Sequence, residues 1–172
     1  MIYQKLHTTT LEKLFGAIHN HIIRQNNNIR MVHLMDSNGI SRTLGVVRFE
    51  KVNDDLSVPH NKICNGAMLG KTLLEFNVDF DKQFIGSIDV ELPEWLKNDF
   101  NTREKHSKAF LSRILIKTKE TVEDTIYAEI IEVIPPEIIY EFNEKIKQQI
   151  SLEPNWQSLI KDADLKVYSY DK

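Results

Sequence analysis

Cysteine, long apolar runs and an excess of charge of one sign are all missing from this chain of 172 residues. The single Cys64 excludes an internal disulfide and is typical of a reducing compartment. No apolar run approaches the ~20 residues needed to span a bilayer, and residues 1–10 lack the basic start and apolar core of a signal peptide. We therefore expect a cytoplasmic protein, or a mature organellar one, without a membrane partner.

The charge balance narrows the classes of function. A net charge of −3 argues against a nucleic-acid binder that relies on bulk electrostatics, although it leaves a local basic patch open. The chain has no P-loop, no G-x-G-x-x-G and no G-x-S-x-G, and its histidines have no partners at ligand spacing. The residues therefore predict no nucleotide, metal or covalent-nucleophile chemistry.

Periodicity predicts an α+β domain with a mostly antiparallel sheet and peripheral helices. An Asn38-Gly39 turn joins two β-prone runs into a hairpin. The predicted helices are 11–24, 67–76, one that opens at 93, one that opens at 136, and 156–160. The predicted strands are 29–35, 40–52, 84–92, 109–117, 125–134 and 165–170, with a loop at 53–65 and a turn at 120–124. One domain is expected over 1–172, with its core at about 29–135 and a C-terminal helical extension at 136–172.

Glu129 is the residue of greatest functional interest, because it lies in residues 126–134, the most strand-like run of the chain. Carboxylates are depleted in strands and rarely fully buried without a partner. Alternation predicts that Glu129 shares a face with Tyr127, Ile131 and Val133. Burial there would raise its pKa unless a cation lies opposite, so the acid could hold or move a proton near neutral pH. The alternative is a glutamate that points into water at a sheet edge.

Arg30 is the second candidate, since Val32 and Leu34 share its predicted face. A guanidinium in such an apolar setting is well suited to gripping a carboxylate. Arg113 lies on another predicted strand, and for both arginines a solvent-facing position is the alternative. The third candidate is the segment 68–71, where free backbone N–H groups at a helix start could receive an anion. Gly70 would allow close approach of the anion, or would only let the helix pack tightly.

Taken in order, three segments resemble the chorismate pyruvate-lyase family, whose fold is shared with the ligand-binding UTRA domains of some transcription regulators. Residues 29–39 look like the strand with the family's substrate-binding arginine, at Arg30. Residues 68–74 are similar to its Pro-Leu-Gly-Arg helix start, with Leu69 and Gly70 matched and Lys71 in place of the arginine. Residues 112–116 and 127–131 match the last hairpin, which carries the family's glutamate at Glu129. The resemblance covers about residues 29–135.

The resemblance implies loss of pyruvate from chorismate, which leaves 4-hydroxybenzoate, without a metal or organic cofactor. In that reading Arg30 binds a substrate carboxylate, and Glu129 contacts the ring hydroxyl or the departing group. Further substrate contacts are expected from Leu69, Gly70, Lys71, Arg48 and Arg113. Arg48 enters because the family's arginine in the second strand aligns with Val46, and Arg48 lies on the same face of that strand.

Two other functions stay open at this point. The same pocket could sense an aromatic or organic acid without turnover, as in UTRA domains, although a helix-turn-helix partner is absent from the chain. The protein could also be an interaction module with no pocket and a solvated Glu129. The lyase and the sensor both require a small-molecule carboxylic acid as the partner, whereas the interaction module does not.

Overall fold

Two antiparallel hairpins, at residues 29–49 and 106–133, lie side by side within one seven-stranded sheet. The computed structural model describes residues 6–26, 28–117, 123–146 and 150–168. The strands are β1 (His19–Gln25), β2 (Ile29–Met35), β3 (Ser41–Phe49), β4 (Phe80–Glu91), β5 (His106–Ile116), β6 (Thr125–Val133) and β7 (Lys166–Val167). Across the sheet they lie in the order β1-β2-β3-β6-β5-β4-β7. Every pairing between them is antiparallel, so the α+β class with an antiparallel sheet is confirmed.

Helices cover both faces of this sheet. They are α1 (His7–Phe15), α2 (Ser57–Cys64), α3 (Leu69–Glu75), α4 (Glu94–Phe100), α5 (Asn143–Ile146) and α6 (Pro154–Asp162), with 3-10 helices at Asp54–Leu56 and Pro136–Phe142. α1 and α6, the longest of the described helices, have nine residues each. Within the described ranges, no helix is long and apolar enough to cross a membrane.

The predicted hairpin at Asn38-Gly39 is confirmed as β2 and β3. Gly39 has a φ of 74°, a backbone conformation that glycine adopts without strain. One carboxylate oxygen of Asp36 accepts hydrogen bonds from the backbone N–H groups of Asn38 and Ile40 at 2.9 and 3.1 Å. These bonds fix the turn, and the turn fixes which β3 residue lies opposite each residue of β2.

Alternation along the strands gives the sheet two differently covered faces. Met31, Val46 and Ile131 lie on one face and pack against α4 and α6, so we call this the α6 face. Val47, Ile114 and Ile130 lie on the other, together with buried residues of α2 and α3. We call this second face the cavity face. Leu11 of α1 and Ile138 of the second 3-10 helix also pack on it.

Two predicted elements are wrong. The first helix ends at Phe15, where Gly16 has a φ of 77°, and the chain then forms the edge strand β1 instead of continuing the helix to residue 24. The polar stretch at 53–65 is not a loop, because it contains a 3-10 helix and α2. Pro59 sits within the first turn of α2, where a missing N–H costs no intrahelical hydrogen bond. The polar composition of this stretch suggested a loop because α2 buries Pro59 and Ile63 and exposes most of its other side chains.

The remaining predicted helices and strands lie close to their expected positions. The helix expected from residue 136 is a 3-10 helix followed by the short α5. α6 extends the helix predicted at 156–160, and its Trp156, Leu159 and Ile160 belong to the core of the α6 face. Part of the predicted turn at 120–124 and the end of the predicted strand at 165–170 lie outside the described residues.

Candidate functional site

A cavity of about 90 Å³ lies between the cavity face of the sheet and the helices α1 and α3. Aliphatic side chains make up most of its wall. Its polar and charged side chains are Arg30 on β2, Lys82 on β4, Glu132 on β6, and His7, Thr8 and Asn20. The other lining residues are Leu6, Val32, Leu34, Val47, Met68, Leu69, Gly70, Ile114 and Ile130. A mostly apolar wall with a few converging polar groups is typical of a small-molecule site.

Arg30 is buried in this wall, with 2% of its surface exposed. Its two terminal nitrogens donate to the carbonyl oxygens of Ile63, at 2.6 Å, and of Ala67, at 3.0 Å. Its Nε is buried and has no hydrogen-bond partner in the described structure. None of the ion pairs among the described residues includes Arg30. Burial lowers the pKa of the guanidinium from its very high ordinary value, and arginine stays charged in proteins. The cavity therefore contains a buried cation that pairs with no carboxylate in the described part of the chain.

Glu132 is the acid of the cavity, and it is 5% exposed. It forms an ion pair with Lys82. Its Oε2 lies 3.0 Å from Nδ1 of His7. The distance is short, but the geometry of Nδ1 and Oε2 is not that of a hydrogen bond. Neither atom has another hydrogen-bond partner among the described residues. Nε2 of His7 lies 2.6 Å from Oγ1 of Thr43, which anchors the far side of the ring.

Neighbouring charges set the protonation states of this cluster. Burial alone would raise the pKa of Glu132, but the charges of His7, Lys82 and Lys145 lower it to about 2. Burial lowers the pKa of His7 to about 4, against the opposing effect of Glu132. At neutral pH Glu132 is therefore an anion and His7 is neutral. With Arg30 and Lys82 both cationic, the charged groups that line the cavity carry a net positive charge, which favours an anionic ligand.

Lys145 stands behind this cluster in a ring of aromatic side chains. Its Nζ lies 5.4 to 5.7 Å from the ring centroids of Phe84, Phe110 and Phe142. Burial lowers the pKa of this lysine, while Glu132 raises it. Phe142 also stacks on the His7 ring, with centroids 5.1 Å apart. The second 3-10 helix and α5 therefore hold the His7 end of the cavity in place.

Leu69 and Gly70, two of the predicted substrate-binding residues, line the cavity at the start of α3. A Cβ atom at position 70 would lie 2.9 Å from Cδ2 of Leu6, which is closer than real Cβ contacts come. Gly70 therefore allows α3 to pack tightly against the residue that precedes α1. This matches the packing alternative for Gly70 and also places its backbone at the cavity wall.

The expectation that Arg30 and Glu129 meet in one cavity is wrong, because Glu129 lies on the α6 face. One of its oxygens accepts a hydrogen bond from Arg48 at 2.9 Å, and the other accepts bonds from Arg113 at 3.2 Å and from Asn155 of α6 at 2.7 Å. Burial would raise the pKa of Glu129, but the bonds from Arg48 and Arg113 lower it below its ordinary value. Glu129 is thus a satisfied structural anion that ties α6 to the sheet.

The other predicted site residues divide in the same way. Arg48 and Arg113 belong to the Glu129 cluster, and Lys71 pairs with Glu12 of α1 at 2.5 Å. Tyr127 was expected on the face of Glu129, but a β-bulge near Ile114 shifts the register. Tyr127 consequently packs on the cavity face, where its hydroxyl lies 2.8 Å from Nδ1 of His60.

Sequence reasoning missed Glu132, His7 and Lys82. The signal for Glu132 was present, because β6 contains two acids three positions apart, which must point to opposite faces. The identity of the face that closes a cavity depends on the covering helices, which the strand pattern does not reveal. Among the described residues, no group of three His, Cys, Asp or Glu side chains could hold a metal ion.

The chain matches no protein-family model and, with significance, no curated protein.

Proposed function

We propose that the cavity binds a small cyclic carboxylic acid of the chorismate type and that the protein eliminates pyruvate from it. The observation that carries this proposal is the buried Arg30 at the cavity wall, which has no carboxylate partner among the described residues. A buried charge is costly unless it is paired and hydrogen-bonded, and an incoming carboxylate supplies both. The carbonyl oxygen of Ile63, in the last turn of α2, offsets part of that cost.

The dimensions of the sheet support a single ring between Arg30 and Glu132. Arg30 pairs with Val47, Val47 pairs with Ile130, and Glu132 lies two residues further along β6. Two strand spacings across and two residues along place the Cα atoms of Arg30 and Glu132 roughly 12 Å apart. Gly45 pairs with Val32 on one side and with Glu132 on the other, and the Val32 side chain packs over it. A ring can thus place its carboxylate at Arg30 and its hydroxyl at Glu132.

The ring needs more room than this cavity offers. An engineered cavity that takes up benzene measures roughly 150 Å³, whereas this one measures about 90 Å³. Binding therefore requires side chains at the rim to move outward. Leu6 and Met68, both flexible and apolar, are the residues best placed to do so.

The proposed chemistry assigns the role expected of Glu129 to Glu132. The ring carbon that carries the hydroxyl loses its hydrogen as a proton to the Glu132 carboxylate, and the electron pair completes the aromatic ring. The bond between the neighbouring ring carbon and the ether oxygen breaks, so that enolpyruvate leaves and takes up a proton at its methylene carbon to give pyruvate. Aromatisation drives the step, and an ionised Glu132 is in the correct state to act as the base.

A second candidate is a binding domain of the UTRA kind that takes up the same acid without turnover. The specific observation in its favour is the low pKa of Glu132, about 2, which makes the carboxylate a weak base. The proposal predicts a small-molecule partner in both cases, in a cytoplasmic protein that uses no cofactor and does not bind nucleic acid.

The test is to incubate the purified protein with chorismate and follow 4-hydroxybenzoate by absorbance, together with calorimetric titration of 4-hydroxybenzoate. Catalysed formation of product supports the lyase. Binding without product supports the sensor, and neither signal removes both in favour of an interaction module. Arg30→Met is the negative control, because it keeps an apolar side chain but removes the cation on which both candidates depend.

A further inference from the structure

The contacts of His7 assign it a role beyond packing. We propose that His7 positions Glu132 in the cavity and receives the proton that Glu132 takes from the ligand. This inference rests on the proposed function, and it concerns a residue that the resemblance does not supply, since His7 lies outside residues 29–135. α1 contributes His7 to a site whose other charged groups come from the sheet.

The first observation is the unused contact between His7 and Glu132. Nδ1 and Oε2 lie 3.0 Å apart, both are buried, and neither forms an aligned hydrogen bond within the described part of the chain. Buried polar atoms in native structures are nearly always satisfied, so an unsatisfied facing pair calls for an explanation. A proton delivered to Glu132 from the cavity would occupy this gap and would satisfy both atoms.

The second observation is that the His7 ring cannot turn away. Its Nε2 is held by the hydroxyl of Thr43 at 2.6 Å, and its face stacks on Phe142. These contacts aim Nδ1 at Glu132, as an orienting partner does for a catalytic base. The charged groups around the pair are Lys82 from β4 and Lys145 from α5, which favour the anionic form of Glu132 before the reaction.

The proton balance of the proposed reaction is then closed. One proton leaves the ring and passes through Glu132 to Nδ1 of His7. The departing enolpyruvate needs one proton at its methylene carbon, and the same proton can return through Glu132. No oxidant, reductant or metal is required.

The experiment compares His7→Gln with the matched control His19→Gln, since His19 is exposed on β1. Glutamine at position 7 can still bond Thr43 but cannot accept a proton. We expect kcat for chorismate to fall about 100-fold in His7→Gln, with KM changed less than threefold. A protonated His7 cannot receive the proton, so the wild-type acid limb should follow the pKa of His7, which is lowered to about 4, and in this variant the limb should move to the titration of Glu132 alone. The control should match the wild-type protein.

A Thr43→Val variant keeps the His7 imidazole but removes the hydroxyl that holds it. This variant replaces His7→Gln in the test if His7→Gln does not fold. We expect its kcat to fall, but by less than in His7→Gln. Parallel losses of kcat and stability with an unmoved pH limb would overturn the inference. If the wild-type protein shows no turnover, the lyase proposal fails independently of the role of His7. The coupling between His7 and Glu132 is then tested by NMR titration of the Glu132 carboxyl carbon. An unchanged Glu132 pKa in His7→Gln overturns the coupling, and a raised pKa supports it.

Discussion

The side chains of Arg30 and Glu129 lie on opposite faces of one sheet, because Glu129 is one residue out of register with Arg30. Arg30 lies opposite Val47, which lies opposite Ile130, the neighbour of Glu129. Glu129 lies opposite Arg48 and Arg113 instead. The sheet thus separates the Glu129 cluster, whose charges pair with one another, from a cavity whose Arg30 has no counterion within the described ranges.

The two acids of β6 give the sharpest test of this separation. We expect Glu132→Gln to lower turnover of chorismate by about 100-fold or more, because the cavity loses its only carboxylate among the described lining residues. Glu129→Gln is the matched control and should leave kcat unchanged. It should cost about 1–2 kcal/mol of unfolding free energy, since Arg48 and Arg113 are only partly shielded from water. Steady-state kinetics measure kcat, and urea unfolding measures the change in stability. A fall of kcat in Glu129→Gln would instead indicate that the active site lies on the α6 face.

Arg30→Met should separate ligand affinity from stability. The variant loses two hydrogen bonds to carbonyl oxygens, worth about 1 kcal/mol each. It also removes a buried charge for which the described residues supply no counterion. We therefore expect the unfolding free energy to change by less than about 2 kcal/mol, whereas affinity for 4-hydroxybenzoate should fall about 100-fold. Calorimetry and urea unfolding check this, with the exposed Arg103→Met as control. Unchanged affinity would mean that the ligand does not bind at Arg30.

Gly70 and Leu6 should be coupled. In Gly70→Ala the new methyl group would push the tip of Leu6, which lines the cavity, out of its position. Alanine is the better helix former by about 1 kcal/mol, so this gain should offset most of the steric cost in stability. Ligand affinity should nevertheless change. Combining Gly70→Ala with Leu6→Ala should remove that effect, and a double-mutant cycle on 4-hydroxybenzoate affinity measures it. Additive effects would show that the two residues act independently.

The stability of the protein should fall on acidification below about pH 6.5. The pKa of His7 is lowered to about 4, so the unfolded chain binds a proton more readily than the folded one between pH 6.5 and 4, which destabilises the fold by about 3 kcal/mol. Glu132, with its pKa lowered to about 2, adds a further loss as the pH falls from about 4.5 toward 2. Urea unfolding from pH 7 to 4 measures the slope. His7→Gln should flatten it, and an equal slope in that variant would contradict the assignment.

Much of the fold followed from local patterns. The Asn38-Gly39 turn, the alternation in β5 and β6 and the proline before α4 each specified an element without help from distant residues. The N-terminal region failed because Leu11, Phe15, Ile18 and Ile22 recur at helical spacing while Gly16 interrupts the helix. The region at 53–65 failed because α2 is amphipathic but short, so few apolar residues mark it.

The site was predictable only in part. Arg30, Leu69 and Gly70 line one cavity as expected, because a strand and a helix start can be recognised locally. Choosing between Glu129 and Glu132 required the register across β2, β3 and β6 and the position of the covering helices. Lys82 and His7 come from segments with no local signature, and only their approach to Glu132 marks them.

The amino-acid order by itself determined the class of fold, the main hairpin and the presence of an arginine in an apolar strand, since turns and alternation depend on neighbouring residues. The tertiary structure alone decided which carboxylate shares a cavity with that arginine. A strand carries side chains on both faces, and only the helices packed against each face determine whether a buried acid is neutralised there or left facing a ligand.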